Sequence, residues 1–138
     1  MWVLDTDTLT LWLRGYVLVV RRVEERDPDE LAITIITVEE ILSGWYRLIR
    51  LARTDDKLAL AYKSLQQSIE FFRQLQILPF DNAAIRRFHD LRRQHRTAGT
   101  NDLRIAAMTL ASVGSLVSRN LRDFRPIAGL HVGDWSIG

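Results

Sequence analysis

The sequence predicts an α/β fold in which a mainly parallel central β-sheet is flanked by α-helices. Short apolar segments rich in β-forming residues alternate with longer segments of helical periodicity, which is the pattern of βαβ units. The short segments are continuously apolar, as expected of strands that are buried on both faces. The chain has 138 residues and contains no repeat, linker or low-complexity segment. We therefore expect a single domain over residues 1–138.

The first predicted strand ends at a run of acids and hydroxyls. The first four residues are apolar, and two aspartates alternate with two threonines directly after them. Ligands of open α/β sheets bind beyond the carboxyl ends of the strands, so Asp5 stands where chemistry is expected. Thr6 or Thr8 is predicted to cap a helix that begins at about Leu9. The alternative is that Asp5 is only the N-cap of that helix.

The next elements follow from helical spacing and turn residues. Residues 9–13 and 16–25 have helical periodicity on either side of a glycine, and residues 27–29 form a turn around a proline. The β-branched run 31–36 predicts a second buried strand. Thr37 is expected to cap the following helix, where the dipole favours the acids of its first turn.

The second half of the chain continues the alternation. Thr54 begins a helix whose apolar stripe is expected to pack in the core, and this stripe consists of Leu58, Tyr62, Leu65, Ile69 and Phe72. Asp81 is predicted to cap another helix, and Asn101 or Asp102 to open a third after a loop. Strands are predicted over 77–80, 115–118 and, at the edge of the sheet, 127–130.

The composition excludes several kinds of chemistry. The chain has no cysteine, which excludes disulfides, thiolate zinc sites and cysteine nucleophiles. His89, His95 and His131 lack the spacing of metal ligands. Without a long apolar run or a signal peptide we expect a soluble, cytoplasmic protein with no membrane association. The formal charge is only +2. The only lysines are Lys57 and Lys63, so nearly all of the positive charge is arginine. Arginine binds phosphates through its planar guanidinium group.

Acids and an amide follow the predicted strands at their carboxyl ends. Asp5 follows the first strand, Glu40 lies one turn into the helix after the second, and Asp102 stands at the start of its helix. Asn120 and Asp123 follow the strand that ends at Ser118. In a parallel sheet these side chains converge on one edge, where their charges repel unless a divalent cation is bound. Oxygen ligands suit Mg²⁺, or Mn²⁺ in its place, and such a site suits phosphodiester hydrolysis by metal-activated water. The alternative for each acid is a place at a helix start that the dipole favours.

Four spaced motifs, at residues 4–7, 37–44, 101–107 and 116–124, resemble those of PIN-domain ribonucleases, and the tail 127–135 is similar too. The similarity is greatest to the VapC-type toxins of prokaryotic toxin–antitoxin pairs, and it spans essentially the whole chain in order. The resemblance implies a PIN-like domain. It also implies a Mg²⁺-dependent endoribonuclease that acts as the toxin of such a pair and hydrolyses RNA by metal-activated water.

The resemblance assigns the catalytic residues position by position. It makes Asp5, Glu40 and Asp102 the acidic metal-binding triad, because Glu40 rather than its neighbour stands four residues before a glycine. The fourth family position, often Asp, falls on Asn120. Since an amide supplies only a neutral oxygen, Asp123 is an alternative ligand, and the number of metal ions stays open.

Further residues are expected to support the site or bind RNA. Thr6, Asp7 and Ser118 are the supporting residues, and Asp7 stands where the family commonly has Asn. The predicted RNA contacts are Arg93, Arg96, Arg104, Arg119 and Arg122. The alternative for each arginine is a solvated helix face, or for Arg104 a pair with a carboxylate. The resemblance also implies a cognate antitoxin, which commonly inserts a basic residue into the acidic pocket, and a homodimer.

Two other functions are consistent with parts of the pattern. A phosphatase of the haloacid dehalogenase type shares the spacing of Asp5 and Asp7, but it requires Thr or Val where this chain has Leu9. It also requires a lysine late in the chain, and no lysine follows Lys63. A PIN-like module that has lost catalysis and only binds protein or RNA is compatible with Asn120. The retained acidic triad argues against it.

Overall fold

The computed structural model describes residues 1–138. Its strands are β1 (Trp2–Leu4), β2 (Leu31–Thr34), β3 (Gln76–Leu78), β4 (Ser115–Val117) and β5 (His131–Gly133). They form one five-stranded sheet in the order β3-β2-β1-β4-β5, and every neighbouring pair is parallel. The predicted α/β class is confirmed, and the sheet is parallel throughout rather than mainly.

Seven α-helices and one short 3₁₀-helix at Pro28–Glu30 connect and cover the strands. The α-helices are α1 (Thr6–Leu13), α2 (Val17–Glu24), α3 (Ile35–Leu51), α4 (Asp55–Phe72), α5 (Asn82–Gln94), α6 (Thr100–Ala111) and α7 (Leu121–Phe124). None of them combines the length and the apolar character that crossing a bilayer requires.

The helices after β1 and β2 begin earlier than predicted. In each case the polar residue at the end of the strand is itself the N-cap of the helix. Asp5, not Thr6 or Thr8, caps α1 and accepts a hydrogen bond from the Thr8 amide at 2.8 Å. Thr34, not Thr37, caps α3 and accepts from the Thr37 amide at 3.2 Å. The chain thus passes from strand to helix without a loop. The β-branched pair after Thr34 is helical because tertiary packing outweighs its strand propensity.

The start of α6 and the last strand were also predicted wrongly. Helix α6 begins at Thr100 with Gly99 as its N-cap, before the predicted Asn101. The edge strand is β5, whereas residues 127–130 form a turn in which the Leu130 amide donates to the Ile127 carbonyl at 3.3 Å. Both of these apolar residues are buried. Their hydrophobicity therefore reflects a core turn and not a strand.

Strand β3 and the segment after β4 differ from prediction for local reasons. Strand β3 ends before Pro79, because proline lacks the amide that would continue the ladder. Strand β4 ends at Val117, and Ser118 lies just beyond it. Helix α7, with only four residues, was not predicted. Ser118 and α7 therefore belong to the loop that leaves the sheet beside β1.

The core lies in two clusters, one on each face of the sheet, because neighbouring residues of a strand point to opposite sides. Val3 and Leu116 pack with the buried side chains of α5 and α6. Leu4 and Val117 pack with those of α1, α2 and α4. The sheet is thereby covered on both faces, which explains why its strands read as continuously apolar.

The stripe of α4 that was expected to be core is largely exposed. Leu58, Tyr62 and Ile69 are exposed, and the buried residues of this helix are Ala61, Ser68 and Phe72. Helix α4 packs mainly on α3, so one apolar face has no partner within the chain. The prediction that this stripe belongs to the core was therefore wrong for these three residues.

Candidate active site

Asp5 occupies the centre of the carboxyl edge of the sheet. Its backbone amide donates to the Val117 carbonyl at 3.1 Å, which holds it against β4. Its side chain is 7% exposed. Burial raises the pKa of the Asp5 carboxyl, and hydrogen bonds from the Ser118 side chain and the Thr8 amide lower it to a smaller extent. Asp5 is thus both the cap of α1 and a buried carboxyl at the strand end, so the two readings of this residue are compatible.

Three of the predicted acids line one cavity of about 380 Å³ at this edge. Its lining residues are Asp5, Thr6, Asp7, Thr10, Glu40, Asp102, Ile105 and Asn120. Burial raises the pKa of the Asp102 carboxyl, and repulsion from Asp5, then Glu40 and Asp123, raises it further. The carboxylates are therefore close enough to interact although their positions in the sequence lie far apart.

A hydroxyl holds the second acid in place. The Thr6 hydroxyl donates to Glu40 Oε1 at 2.7 Å, and its oxygen lies 3.1 Å from Thr37 Oγ1. Thr37 is fully buried and lies within the first turn of α3, which Thr34 caps, so its hydroxyl supports this contact instead of capping the helix. Glu39 is exposed and does not line the cavity. Glu40 is therefore the acid of this pair that faces Asp5 and Asp102.

Asn120 links two acids through its amide group. Its Nδ2 donates to Asp102 Oδ2 at 3.3 Å and to Asp123 Oδ2 at 2.9 Å. Its backbone amide donates to the Ser118 hydroxyl oxygen at 2.9 Å. Asp123 is exposed and lies outside the cavity lining. Asn120 thus orients Asp102, and Asp123 acts on the cavity only through its charge and through Asn120.

The donor set of the cavity is suited to a hard divalent cation. Its side-chain donors are carboxylate, hydroxyl and amide groups, and no Lys, Arg or His lines it. No group of three or more His, Cys or acidic side chains is arranged to hold a metal ion. Mg²⁺ is commonly bound by one or two carboxylates and several waters, so a preformed group of three is not required. The residues fit Mg²⁺ or Mn²⁺, since a cation would offset the repulsion at Asp102.

The predicted RNA-binding arginines have different surroundings. Arg119 at the rim forms a bidentate pair with Asp7, with Nε and Nη2 donating to the two carboxylate oxygens at 2.6 and 3.0 Å. The Asp7 hydrogen bonds and charge raise the pKa of Arg119. Arg93 pairs with Asp90 on the surface of α5. Arg96 and Arg122 are exposed and form no ion pair.

Arg104 is not brought to the acidic cavity. Its guanidinium lies over the rings of Phe80 and Phe88, 5.8 and 5.5 Å from their centroids. Its Nη1 donates to Asn101 Oδ1 at 3.1 Å. Arg104 forms no ion pair with Asp102 in this arrangement. Sequence spacing placed Arg104 near Asp102 along the helix, but the two side chains take different directions.

An apolar groove of about 570 Å³ adjoins the acidic cavity between α1, α3 and α4. It shares Thr6, Thr10 and Glu40 with that cavity. Its apolar lining residues are Leu13, Ile41, Trp45, Leu48 and Phe71. The groove and Thr10 were not identified from the sequence. Thr10 carries no local signal, because a threonine within a helix is more often merely exposed or bonded to the preceding turn.

The protein-family model described as PIN domain matches residues 2–130. No curated protein sequence matches the chain. Three similar solved structures share this fold. VapBC2 from Rickettsia felis, bound to a promoter DNA fragment, has 21% identity and a TM-score of 0.77, covering 97% of this chain and 98% of that one. FitAcB from Neisseria gonorrhoeae has 24% identity and a TM-score of 0.78, and the match covers 98% of each chain. DNA-bound VapBC from Salmonella typhimurium has 22% identity and a TM-score of 0.79, and the match covers 97% of each chain.

Proposed function

Because this chain belongs to the PIN-domain family, we propose that it is a Mg²⁺-dependent endoribonuclease and the toxin of a toxin–antitoxin pair. The predicted resemblance to this family is confirmed, and membership excludes the haloacid dehalogenase alternative. One observation carries the proposal of catalysis. Carboxylates from three distant parts of the chain line a single cavity that contains no basic side chain. Repulsion between these carboxylates is costly unless a cation is bound, and carboxyl groups perturbed in this way are typical of functional sites.

In this proposal the residues of the cavity either bind the metal ion or position the residues that bind it. Asp5, Glu40 and Asp102 hold the ion, with Mn²⁺ able to replace Mg²⁺. Thr6 keeps the Glu40 carboxylate in its place, and Asn120 orients Asp102. A bound ion supplies a Lewis acid and a water of lowered pKa for attack on the phosphodiester. A carboxylate oxygen of the cavity that is not bound to the ion would accept the proton of the attacking water. The ribose oxygen whose bond to phosphorus breaks would leave as a hydroxyl after it takes a proton from solvent.

The RNA substrate is proposed to lie across the rim of the cavity. Exposed arginines position an RNA backbone through its phosphates, without reading its sequence. Arg93, Arg96 and Arg122 are exposed and available for this role. Arg119 is available once a phosphate replaces Asp7 as its partner. Arg104 has no part in it, because its guanidinium is held between aromatic rings.

A cognate antitoxin is proposed to occupy the apolar groove between α1, α3 and α4. Support comes from the similar VapBC structures, since VapBC is a family of toxin–antitoxin systems, and from the continuity of this groove with the acidic cavity. An apolar segment in the groove would carry a basic residue to Glu40, where it competes with the metal ion. The exposed apolar face of α4 is available to a second copy, consistent with a homodimer acting in the cytoplasm.

The deciding experiment is cleavage of a mixed RNA pool by the purified protein with Mg²⁺, with Mn²⁺ and with EDTA. Glu40→Gln and Asp5→Asn are expected to lower cleavage at least about 100-fold, as losing a group that positions the reaction does. Glu39→Gln is the matched control, since it changes the same charge one residue away on the exposed side. Equal activity of Glu40→Gln and Glu39→Gln would refute this role of the cavity.

A protein or RNA-binding module without catalysis is the second candidate. It is favoured by the finding that no three-residue metal group is preformed, and by the amide of Asn120 at a position where the family often has Asp. This candidate predicts weak Mn²⁺ binding together with retained RNA or antitoxin binding. Cleavage that requires Mg²⁺ and Asp5 excludes it.

A further inference from the structure

Arg92 in the last turn of α5 ties together the loop that leads to Asp102. Its Nη1 donates to backbone carbonyls of this loop and its Nη2 to a threonine hydroxyl at the start of α6. The acceptors are the carbonyls of Ala98 at 2.7 Å, Arg96 at 3.2 Å and His95 at 3.4 Å, and Thr100 Oγ1 at 2.9 Å. One guanidinium thus connects the end of α5 to the beginning of α6.

This loop has few other means of holding its shape. The N-cap of α6 is Gly99, which has no side chain to accept from the first amides of the helix. The loop carbonyls that Arg92 binds belong to no strand or helix ladder, so without Arg92 no other group of the chain would hold them in this arrangement. A guanidinium offers several donors in a fixed plane, and its hydrogen bonds are charge-assisted.

The position of Arg92 is itself supported by an aromatic ring. Its guanidinium lies 5.9 Å from the centroid of Phe88, and the guanidinium of Arg104 lies 5.5 Å from the same centroid. Arg104 in turn donates to Asn101, the residue before Asp102. Two arginines held at one ring therefore connect α5 to the loop and to the first turn of α6.

The loop is in contact with the acidic cavity through Asp102. Asp102 is the third residue of α6, and a Cβ built on Gly99 would lie 3.5 Å from Asp102 Oδ2. A shift of the loop backbone would therefore move the surroundings of this carboxylate directly. We propose that Arg92 is a positioning residue for Asp102, acting through the loop of residues 95–100 and not through contact with RNA. Its effect on turnover rests on the proposed nuclease function.

The expected effects follow from the role of a supporting contact. Residues that orient a metal ligand or a catalytic group typically change affinity or activity about 10–100-fold when removed. Arg92→Gln is expected to lower kcat by about 10–100-fold and to leave KM within about twofold. Arg92→Lys keeps a charged donor that reaches one carbonyl, so it is expected to recover part of the loss.

The test compares these variants with Arg87→Gln, which removes the same charge from the exposed side of the same helix. Arg87 is exposed, forms no ion pair and lies outside the acidic cavity. The readouts are cleavage kinetics, hydrogen exchange of the amides at residues 96–103, and Mn²⁺ affinity by electron paramagnetic resonance. Thermal unfolding verifies that each variant is folded. We expect faster exchange and weaker Mn²⁺ binding in Arg92→Gln, partial recovery in Arg92→Lys, and no change in Arg87→Gln.

Several results would overturn the inference. A raised KM with unchanged kcat would make Arg92 an RNA contact. Unchanged exchange at residues 96–103 would remove the loop mechanism, and equal effects of Arg87→Gln would indicate a general charge effect. If the wild-type protein cleaves no RNA, the proposed function fails on its own. The role of Arg92 is then decided by exchange and Mn²⁺ affinity, which need no turnover.

Discussion

Replacing Asp102 by Asn is expected to stabilise the fold while abolishing the proposed activity. The wild-type carboxylate is partly buried, and three neighbouring carboxylates repel it. Asn has nearly the same shape, carries no charge, and keeps an oxygen that accepts from the Asn120 amide. The variant therefore removes the electrostatic cost and retains the packing. Removing strain at a functional site commonly stabilises a protein at the expense of activity.

The pH dependence follows from the sign of the pKa change. Burial and repulsion raise the pKa of Asp102 in the folded protein above its ordinary value of 3.8. Between these two values the folded state binds more protons than the unfolded state, so wild-type stability falls as the pH rises. Below pH 3.8 the carboxyl is protonated in both states, and this contribution to stability is fully present. The advantage of the variant therefore appears as the pH rises through the folded-state pKa of Asp102 and is complete once the pH exceeds it.

The expected gain is about 0.5–2 kcal/mol, the usual size for a single stabilising substitution. For a chain of 138 residues each 1 kcal/mol corresponds to roughly 3 °C in Tm. Mg²⁺ acts in the opposite sense, because an ion that binds only the folded wild type adds about 2.7 kcal/mol at a concentration 100 times its Kd. Saturating Mg²⁺ is therefore expected to reverse the order of stability.

Urea unfolding from pH 4 to pH 8, in EDTA and in Mg²⁺, measures these differences. Glu39→Gln is the matched control, because Glu39 is exposed, lies outside the cavity lining and is not among the carboxylates that repel Asp102. It should change stability by less than about 0.5 kcal/mol, as exposed substitutions usually do. A gain for Asp102→Asn that is equal at pH 4 and pH 8, or a loss at neutral pH in EDTA, would refute the repulsion argument.

Three further predictions concern single residues. Asp5→Ala removes the cap of α1 and should be about 1 kcal/mol less stable in urea than Asp5→Asn; equal stability would mean that the cap contributes nothing. Asp7→Asn breaks the half-exposed pair with Arg119, so it should cost about 0.2–1 kcal/mol at low salt and less in 1 M salt, measured as Tm; a salt-independent loss would contradict this. Val113 is 92% exposed at a φ of 56°, so Val113→Gly should raise the unfolding free energy by about 1 kcal/mol, whereas Val113→Ala, which keeps a Cβ, should not.

The fold class was predictable from the sequence because it depends on patterns that are local. Continuous apolar runs indicated buried parallel strands, and spacing of three and four indicated helices. The errors lie at boundaries. Asp5 and Thr34 each end a strand and cap a helix at once, and the cap was assigned one to three residues too late. The apolar residues Ile127 and Leu130 are buried because they pack in a turn against the core. Hydrophobicity alone does not distinguish such a turn from a strand.

The acids of the site could be identified because strand ends and the first turns of helices are predictable positions. Asp5, Glu40 and Asp102 follow predicted elements, and the all-parallel sheet brings them to one cavity. The arginines could not be assigned in the same way. A long flexible side chain selects its partner from everything within reach, so Arg119 pairs with Asp7 and Arg104 lies over Phe80. The sequence distance to an acid carries little information about that choice.

By itself the sequence determined the α/β class, the order of the main elements and the acids that meet at the sheet edge, because periodicity, capping residues and strand ends are properties of neighbouring residues. The tertiary structure alone decided which atoms interact. It set the contact of Thr6 with Glu40, the link from Asn120 to Asp102, and the ties from Arg92 to the loop before α6. These contacts join residues whose proximity depends on how helices pack on the sheet, and burial, which raises the pKa of Asp102, exists only once that packing is complete.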